Sequence, residues 1–197
     1  RAEGWRNLGD SPNLLLQKTP ADKFTVKAKM RFIPNPQLKG KGESCGFVLM
    51  GQDYAAVKMT DTEEGVILQY VECEDALKGK QEETIVDIPV SSEALPAPYS
   101  NSYMSTTVPQ VSPIAYRASD MYVRMKVEPK ERKGNVPDLT ARFWYSTDGR
   151  KWTELTEKPF IGKPGKWIGA KFGFFCNRLT SKNDSGWMQI DWIEVNE

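Results

Sequence analysis

The stretch Ala141-Arg-Phe-Trp-Tyr-Ser-Thr-Asp-Gly-Arg-Lys-Trp152 reads as a strand, a turn and the start of a second strand. Alternation sets Leu139, Ala141, Phe143 and Tyr145 on one face and Thr140, Arg142, Trp144 and Ser146 on the other, the two-residue period of a half-buried strand. Asp148-Gly149 between the arms predicts a two-residue hairpin turn, because such turns need a positive φ that glycine takes without steric cost. An indole on the polar face, next to an arginine, is unexpected in a strand that only covers a core. It marks Trp144 and Arg142 as candidates for stacking on a ligand.

The same period recurs on both sides of this hairpin. Phe24-Thr-Val-Lys-Ala-Lys-Met-Arg-Phe32 is the cleanest alternation in the chain, with Phe24, Val26, Ala28, Met30 and Phe32 on one side and Thr25, Lys27, Lys29 and Arg31 on the other. Cys45 to Met50, Tyr54 to Thr60 and Val66 to Glu72 form a meander whose connections carry Gly51-Gln-Asp53 and Glu63-Glu-Gly65. Leu14 to Lys18, Thr84 to Val90, Met121 to Val127, Lys151 to Leu155, Trp167 to Asn177 and Trp187 to Val195 complete the series, and no helical stripe of useful length interrupts it. The expected fold is all-β, a two-sheet antiparallel sandwich.

Composition bounds the chemistry. At 197 residues the chain is long enough to bury a full core as one domain, so a single β-sandwich over 1–197 is expected. Lysine and arginine total 27 against 26 acidic residues, a net charge of +1, which offers no broad field to attract nucleic acid or an anionic membrane. No apolar run reaches the ~18 to 20 residues of a bilayer span. The chain opens at Arg1 without methionine or a signal-like segment, which is expected either of a processed chain or of a piece excised from a longer protein. Histidine is absent, which removes Ser-His-Asp and Cys-His nucleophiles, histidine bases and nearly all zinc and iron sites. Cys45, Cys73 and Cys176 are widely spaced and odd in number, so they read as buried free thiols. No cofactor is indicated. Asp61 to Glu64 and Glu72 to Asp75 carry oxygens suited to calcium, but neither follows an EF-hand pattern and solvated charge is their ordinary reading.

Residues 91–120 break the rhythm. Pro96, Pro98, Pro109 and Pro113 stand among serines, threonines and the tyrosines Tyr99, Tyr103 and Tyr116, so the segment reads as a long loop. Loops beyond ~12 to 15 residues inside a compact domain are usually functional or disordered. Its tyrosines either line a binding site or pin the loop to the sandwich.

Taken in order, Leu14-Leu-Leu-Gln-Lys18, Gly46-Phe-Val-Leu-Met50, Tyr122-Val-Arg-Met-Lys126, Phe143-Trp-Tyr-Ser-Thr-Asp-Gly149, Pro164-Gly-Lys-Trp-Ile-Gly-Ala-Lys-Phe-Gly173 and Gln189-Ile-Asp-Trp-Ile-Glu194 resemble the C-terminal domain of family 43 glycoside hydrolases. The resemblance covers nearly the whole chain. It implies a concanavalin A-like sandwich lying behind a five-bladed propeller that holds the catalytic carboxylates, and a likeness to carbohydrate-binding module family 91, associated with xylan. A secreted or periplasmic location follows from the resemblance alone; the acceptor pattern Asn183-Asp-Ser185 is too common to add to it. The segment 91–120 is more elaborate than typical members carry.

Two functional classes remain open. In the first, the chain is a non-catalytic carbohydrate-binding module engaging xylan-like polysaccharide. Trp144 and Arg142 fit this, as do Trp167, Phe175 and Asn177, which share one parity opposite Ile168, Ala170, Phe172 and Phe174, with Tyr99 and Tyr103 on the loop. Gly169 and Gly173 on that strand allow close approach of a ligand or of another backbone. For Trp144, Trp167 and Phe175, packing between sheets competes with ligand contact. Phe172 and Trp192 are assigned to the core. In the second class, the chain buttresses the propeller and lends a loop to its active-site rim. A glucanase-like sandwich enzyme is the remaining alternative, since Gln189-Ile-Asp191-Trp-Ile-Glu194 has the spacing of a Glu-x-Asp-x-x-Glu active strand, whose carboxylates stand ~5 Å apart in retaining enzymes. Its first position is an amide, which cannot serve as the carboxylate nucleophile.

Overall fold

The structure is a computed structural model that describes residues 6–95, 115–130, 139–163, 169–179 and 186–197. Trp167, Tyr99 and Tyr103 lie outside the described residues.

Among the described residues thirteen strands follow in chain order: β1 Leu14–Lys18, β2 Phe24–Ile33, β3 Ser44–Met50, β4 Tyr54–Asp61, β5 Val66–Cys73, β6 Glu83–Pro89, β7 Glu93–Ala94, β8 Arg117–Pro129, β9 Leu139–Ser146, β10 Thr153–Glu154, β11 Phe160–Gly162, β12 Lys171–Asn177 and β13 Trp187–Asn196. They pair antiparallel into two sheets. The first runs β1-β12-β3-β4-β5-β6; the second runs β10-β9-β8-β2-β13, with β11 also on β9 and β7 on β8. The alternation in β2 puts Phe24, Val26, Ala28, Met30 and Phe32 against Phe47, Val57, Leu68, Tyr70, Phe172 and Phe174 of the first sheet, with Val123, Met125 and Phe143 beside them. Phe24 meets Phe172 at 5.5 Å between ring centroids, and Tyr70 meets Phe143 at 5.5 Å, so β12 lies over β2 and β5 over β9.

The two sheets differ on their outward faces. On the first, Val48, Ala56, Val71 and Phe175 form a second apolar layer with Leu8, Tyr54, Cys73 and Ala76, supplied partly by the short 3-10 turns Leu8–Asp10 and Ala76–Lys78. This double burial accounts for the unbroken apolar run in β3, where alternation has no exposed side to mark. Gly173 is the point of closest approach: a Cβ there would stand 2.0 Å from the Leu15 carbonyl oxygen, so the glycine admits the β1 backbone rather than a ligand. On the second sheet, β2, β8 and β9 send charged and aromatic side chains outward, with no such covering layer among the described residues.

Three sequence expectations change. The connection from β9 to β10 spans Thr147 to Trp152 rather than a two-residue turn, with Gly149 at its tip at φ +72°. Its carboxylate holds the turn: Asp148 accepts from the Arg150 and Lys151 backbone N–H groups at 2.8 Å each, which depresses its pKa to about 2. Residues 91–120 are not all loop, since β7 pairs with the start of β8 and Tyr116 is buried against Ile33 and Trp187. Trp192 is not core. The pairing of β13 with β2 shifts register between Ile190 and Trp192, so Asp191 bulges and the alternation inverts, turning Trp192 outward opposite Lys29 at 40% exposure. Phe172 is fully buried, as expected.

Candidate functional site

Cross-strand register assembles the outward face of the second sheet into rows. Trp144, Arg124, Lys27 and Glu194 stand in one row across β9, β8, β2 and β13, with Glu154 of β10 next to Trp144; Ser146, Tyr122, Lys29 and Trp192 stand in the next. These residues come together because each occupies the polar phase of its strand.

The aromatic side chains form two groups. The Arg124 guanidinium lies over the rings of both Trp144, at 4.4 Å, and Trp152, at 4.9 Å, joining an indole from β9 to one from the turn. Guanidinium over indole is the most favourable pairing of this kind and fixes the orientation of all three side chains. Tyr122 and Trp192 form the second pair at 6.2 Å and 52°, with the Lys29 ammonium 5.9 Å from the Tyr122 ring. The turn closes on Tyr122: a Cβ at Gly149 would meet its Cε1 at 2.9 Å. The result is a half-exposed aromatic surface with fixed charges around it.

Those charges are largely paired. Lys27 meets Glu194 at 3.7 Å, Lys29 bonds Asp191, Arg31 holds Asp120 at 2.6 Å and Glu93 at 2.9 Å, Lys126 holds Glu128 at 2.9 Å, and Arg142 holds Glu154 at 2.6 Å. Asp120 beside the Arg31 guanidinium sits below the usual carboxylate range, and Lys29 beside Asp191 sits above the usual ammonium range. Arg124 is the exception, with no carboxylate at ion-pair distance among the described residues. Partial burial lowers its pKa, opposed by Glu154 nearby.

The sequence candidates are thus separated. Trp144 is on this face and half exposed. Arg142 is beside it but is committed to Glu154 and to the Thr156 carbonyl, so the cation that meets the indole is Arg124, which the sequence reading passed over as one polar position among many. Phe175 has the outward parity expected of it, yet it is 2% exposed within the second apolar layer, on the opposite side of the molecule from Trp144, and does not present its ring to a ligand. Asn177 is likewise buried on that side, where its Oδ1 accepts from the Ser11 hydroxyl at 2.6 Å. Gly169 has φ +68°, and no atom lies within 4 Å of a Cβ placed there.

In β13, Asp191 and Glu194 are both neutralised by lysines of β2, so they do not make a free carboxylate pair. Among the described residues no group of three or more acidic or cysteine side chains is arranged to hold a metal ion. No helix among them is long and apolar enough to cross a membrane.

The family model for the β-xylosidase C-terminal concanavalin A-like domain matches residues 5–196. Solved structures of similar fold include a xylan β-1,4-xylosidase from Bacillus halodurans, at 15% identity and TM-score 0.61, covering 93% of this chain and 29% of that one. A GH43 protein from Bacillus licheniformis aligns at 14% identity and TM-score 0.56, with 93% and 29% covered. A bifunctional GH43-CE protein from Bacteroides eggerthii aligns at 16% and 0.59, with 94% and 19% covered. At these identities the likeness is one of fold, and this chain spans under a third of the length of each. No curated protein matches the chain. The two antiparallel sheets are those of a concanavalin A-like sandwich.

Proposed function

The chain belongs to the β-xylosidase C-terminal concanavalin A-like domain family, and from that premise we propose that it is a non-catalytic accessory module that holds xylan-type polysaccharide on the outward face of its second sheet. The observation that supports this is the indole pair Trp144 and Trp152, oriented by Arg124 on a face that otherwise carries paired charges. A flat apolar surface flanked by hydrogen-bonding groups suits a pyranose ring, whose C–H face stacks while its hydroxyls meet polar side chains. The sugar would be met outside the cytoplasm, so secretion or a periplasmic location belongs to the same proposal. Affinity electrophoresis of the 197-residue chain in xylan, arabinan and β-glucan gels tests the reading. Retardation in xylan that Trp144→Ala abolishes is expected; no retardation in any gel would overturn it.

A second reading has its own support at the lateral edge between β1 and β13. Ile190, Ile193 and Val195 take the inward phase of β13 yet are 37%, 43% and 38% exposed, and Leu15 of β1 is 71% exposed. This open apolar edge suits burial against the N-terminal catalytic part of a longer chain, the propeller that the family resemblance implies. Association with a separately expressed catalytic part, lost in Ile193→Asp, is the result this reading expects. Any contribution to an active-site rim from residues 96–114 falls outside the described residues.

A further inference from the structure

On the outward face of β2, β8 and β9, Arg124 is set apart from every other cation. Lys27, Lys29, Arg31, Lys126 and Arg142 each hold a carboxylate, whereas Arg124 holds none among the described residues and is oriented by two indoles instead. Attraction to the two rings holds the guanidinium in place, and its N–H edge, with five donors in a planar fork, has no hydrogen-bond acceptor among the described residues. That edge matches a planar carboxylate, which it binds bidentately. The nearest acidic side chains on the same rows are already engaged, Glu154 by Arg142 and Glu194 by Lys27, so neither competes fully for the fork.

We infer that Arg124 is the carboxylate-binding residue of a subsite for a uronic acid unit on a substituted glycan, with Trp144 and Trp152 flanking the sugar ring. The inference rests on the sugar-binding reading above and names its substrate class: an acidic, decorated polysaccharide in preference to a neutral one. Pairing with the carboxylate supplies a charge-assisted contact that a neutral xylose chain cannot make, so the module discriminates by side-chain chemistry and not by backbone linkage alone.

Calorimetric titration of the 197-residue chain with three probes tests it: a neutral xylo-oligosaccharide, the same oligosaccharide bearing one glucuronic acid branch, and that branched compound after reduction of its carboxyl to an alcohol. The acidic probe is expected to bind about tenfold more tightly than the other two, the order of effect of one charge-assisted bidentate contact. Arg124→Gln also frees the two indoles and should weaken binding of all three probes, so the readout is the ratio of acidic to neutral affinity, which should fall to about one. Arg124→Lys, which keeps the charge but loses the fork, should retain only part of the preference. Free glucuronate should compete with the acidic probe, and an excess of glucuronate that fails to displace it would overturn the carboxylate assignment. Equal affinity for all three probes, or a preference that survives Arg124→Gln, would overturn the inference while leaving the sugar-binding reading in place. Failure of the parent to bind any of the three would remove that reading and the inference with it.

Discussion

Exchanging two aromatic residues for alanine measures whether β13 is bulged as described. Phe172 is fully buried between the sheets, with its ring 5.5 Å from Phe24 and 6.0 Å from Phe47. Truncation there opens a cavity that close-packed neighbours cannot refill, and Phe172→Ala should cost about 3 to 5 kcal/mol. Trp192 belongs to a strand of similar apolar sequence, but the register shift at Asp191 turns it outward, where it keeps one aromatic partner, Tyr122 at 6.2 Å. Loss of that pair and of its partial burial should cost only about 1 to 2 kcal/mol. For a chain of this size each kcal/mol lowers the melting temperature by roughly 2 to 4 °C, so Phe172→Ala should melt about 6 to 20 °C below the parent and Trp192→Ala about 2 to 8 °C. Urea titrations with unchanged slopes would confirm that both variants differ in stability rather than in compactness. A Trp192→Ala variant as destabilised as Phe172→Ala would refute the bulge, return Trp192 to the core and remove it from the proposed binding face.

Other outcomes follow from local geometry. Gly149→Ala puts a Cβ 2.9 Å from Tyr122 at φ +72°, whereas Gly169→Ala meets only the φ penalty, about 1 to 2 kcal/mol, at φ +68°; the first should therefore have the lower urea midpoint. The Asp148 carboxylate has a folded pKa lowered to about 2, so its contribution to stability is complete above the unfolded value near 4 and is lost as pH falls toward 2. The stability gap between the parent and Asp148→Ala should accordingly narrow across that window in acid titrations followed by circular dichroism. Burial raises Cys45 well above the ordinary thiol range and Cys176 to about 11, and raises Cys73 as well. Thiol labelling at pH 8 should thus be slow for the native chain and should reach all 3 cysteines only in denaturant.

Much of the fold was legible in the sequence because one-sided burial writes itself as alternation. β2 reads almost residue for residue, and the meander from β3 to β5 is marked by its turns. What escaped has physical causes. β7 and β11 are too short to carry a period. A bulge inserts one residue into β13 and inverts the phase that placed Trp192, and nothing in the local composition announces it. Phe175 has the predicted outward direction, but whether an outward face is wet depends on what packs on it, here a turn from the far N-terminal part of the chain. The site divides in the same way. Trp144 stands out as an indole in a polar phase, while Arg124 looks ordinary until the structure shows its neighbours holding carboxylates and Arg124 holding none among the described residues. The contrast between Arg142, bound to Glu154 from the returning arm, and Arg124, left to two indoles, is a cross-strand property that spacing along one strand does not contain.

The central claim is that sugar is held on the outward face of the second sheet at the Arg124-oriented indoles. Its most direct test follows the indole N–H resonances of the 6 tryptophans, assigned by single Trp→Phe variants, during titration of the chain with xylo-oligosaccharide carrying a uronic acid branch. The signals of Trp144 and Trp152 should shift together and saturate with a common affinity. Saturable shifts confined to other tryptophans, or no shifts at all, would contradict the claim.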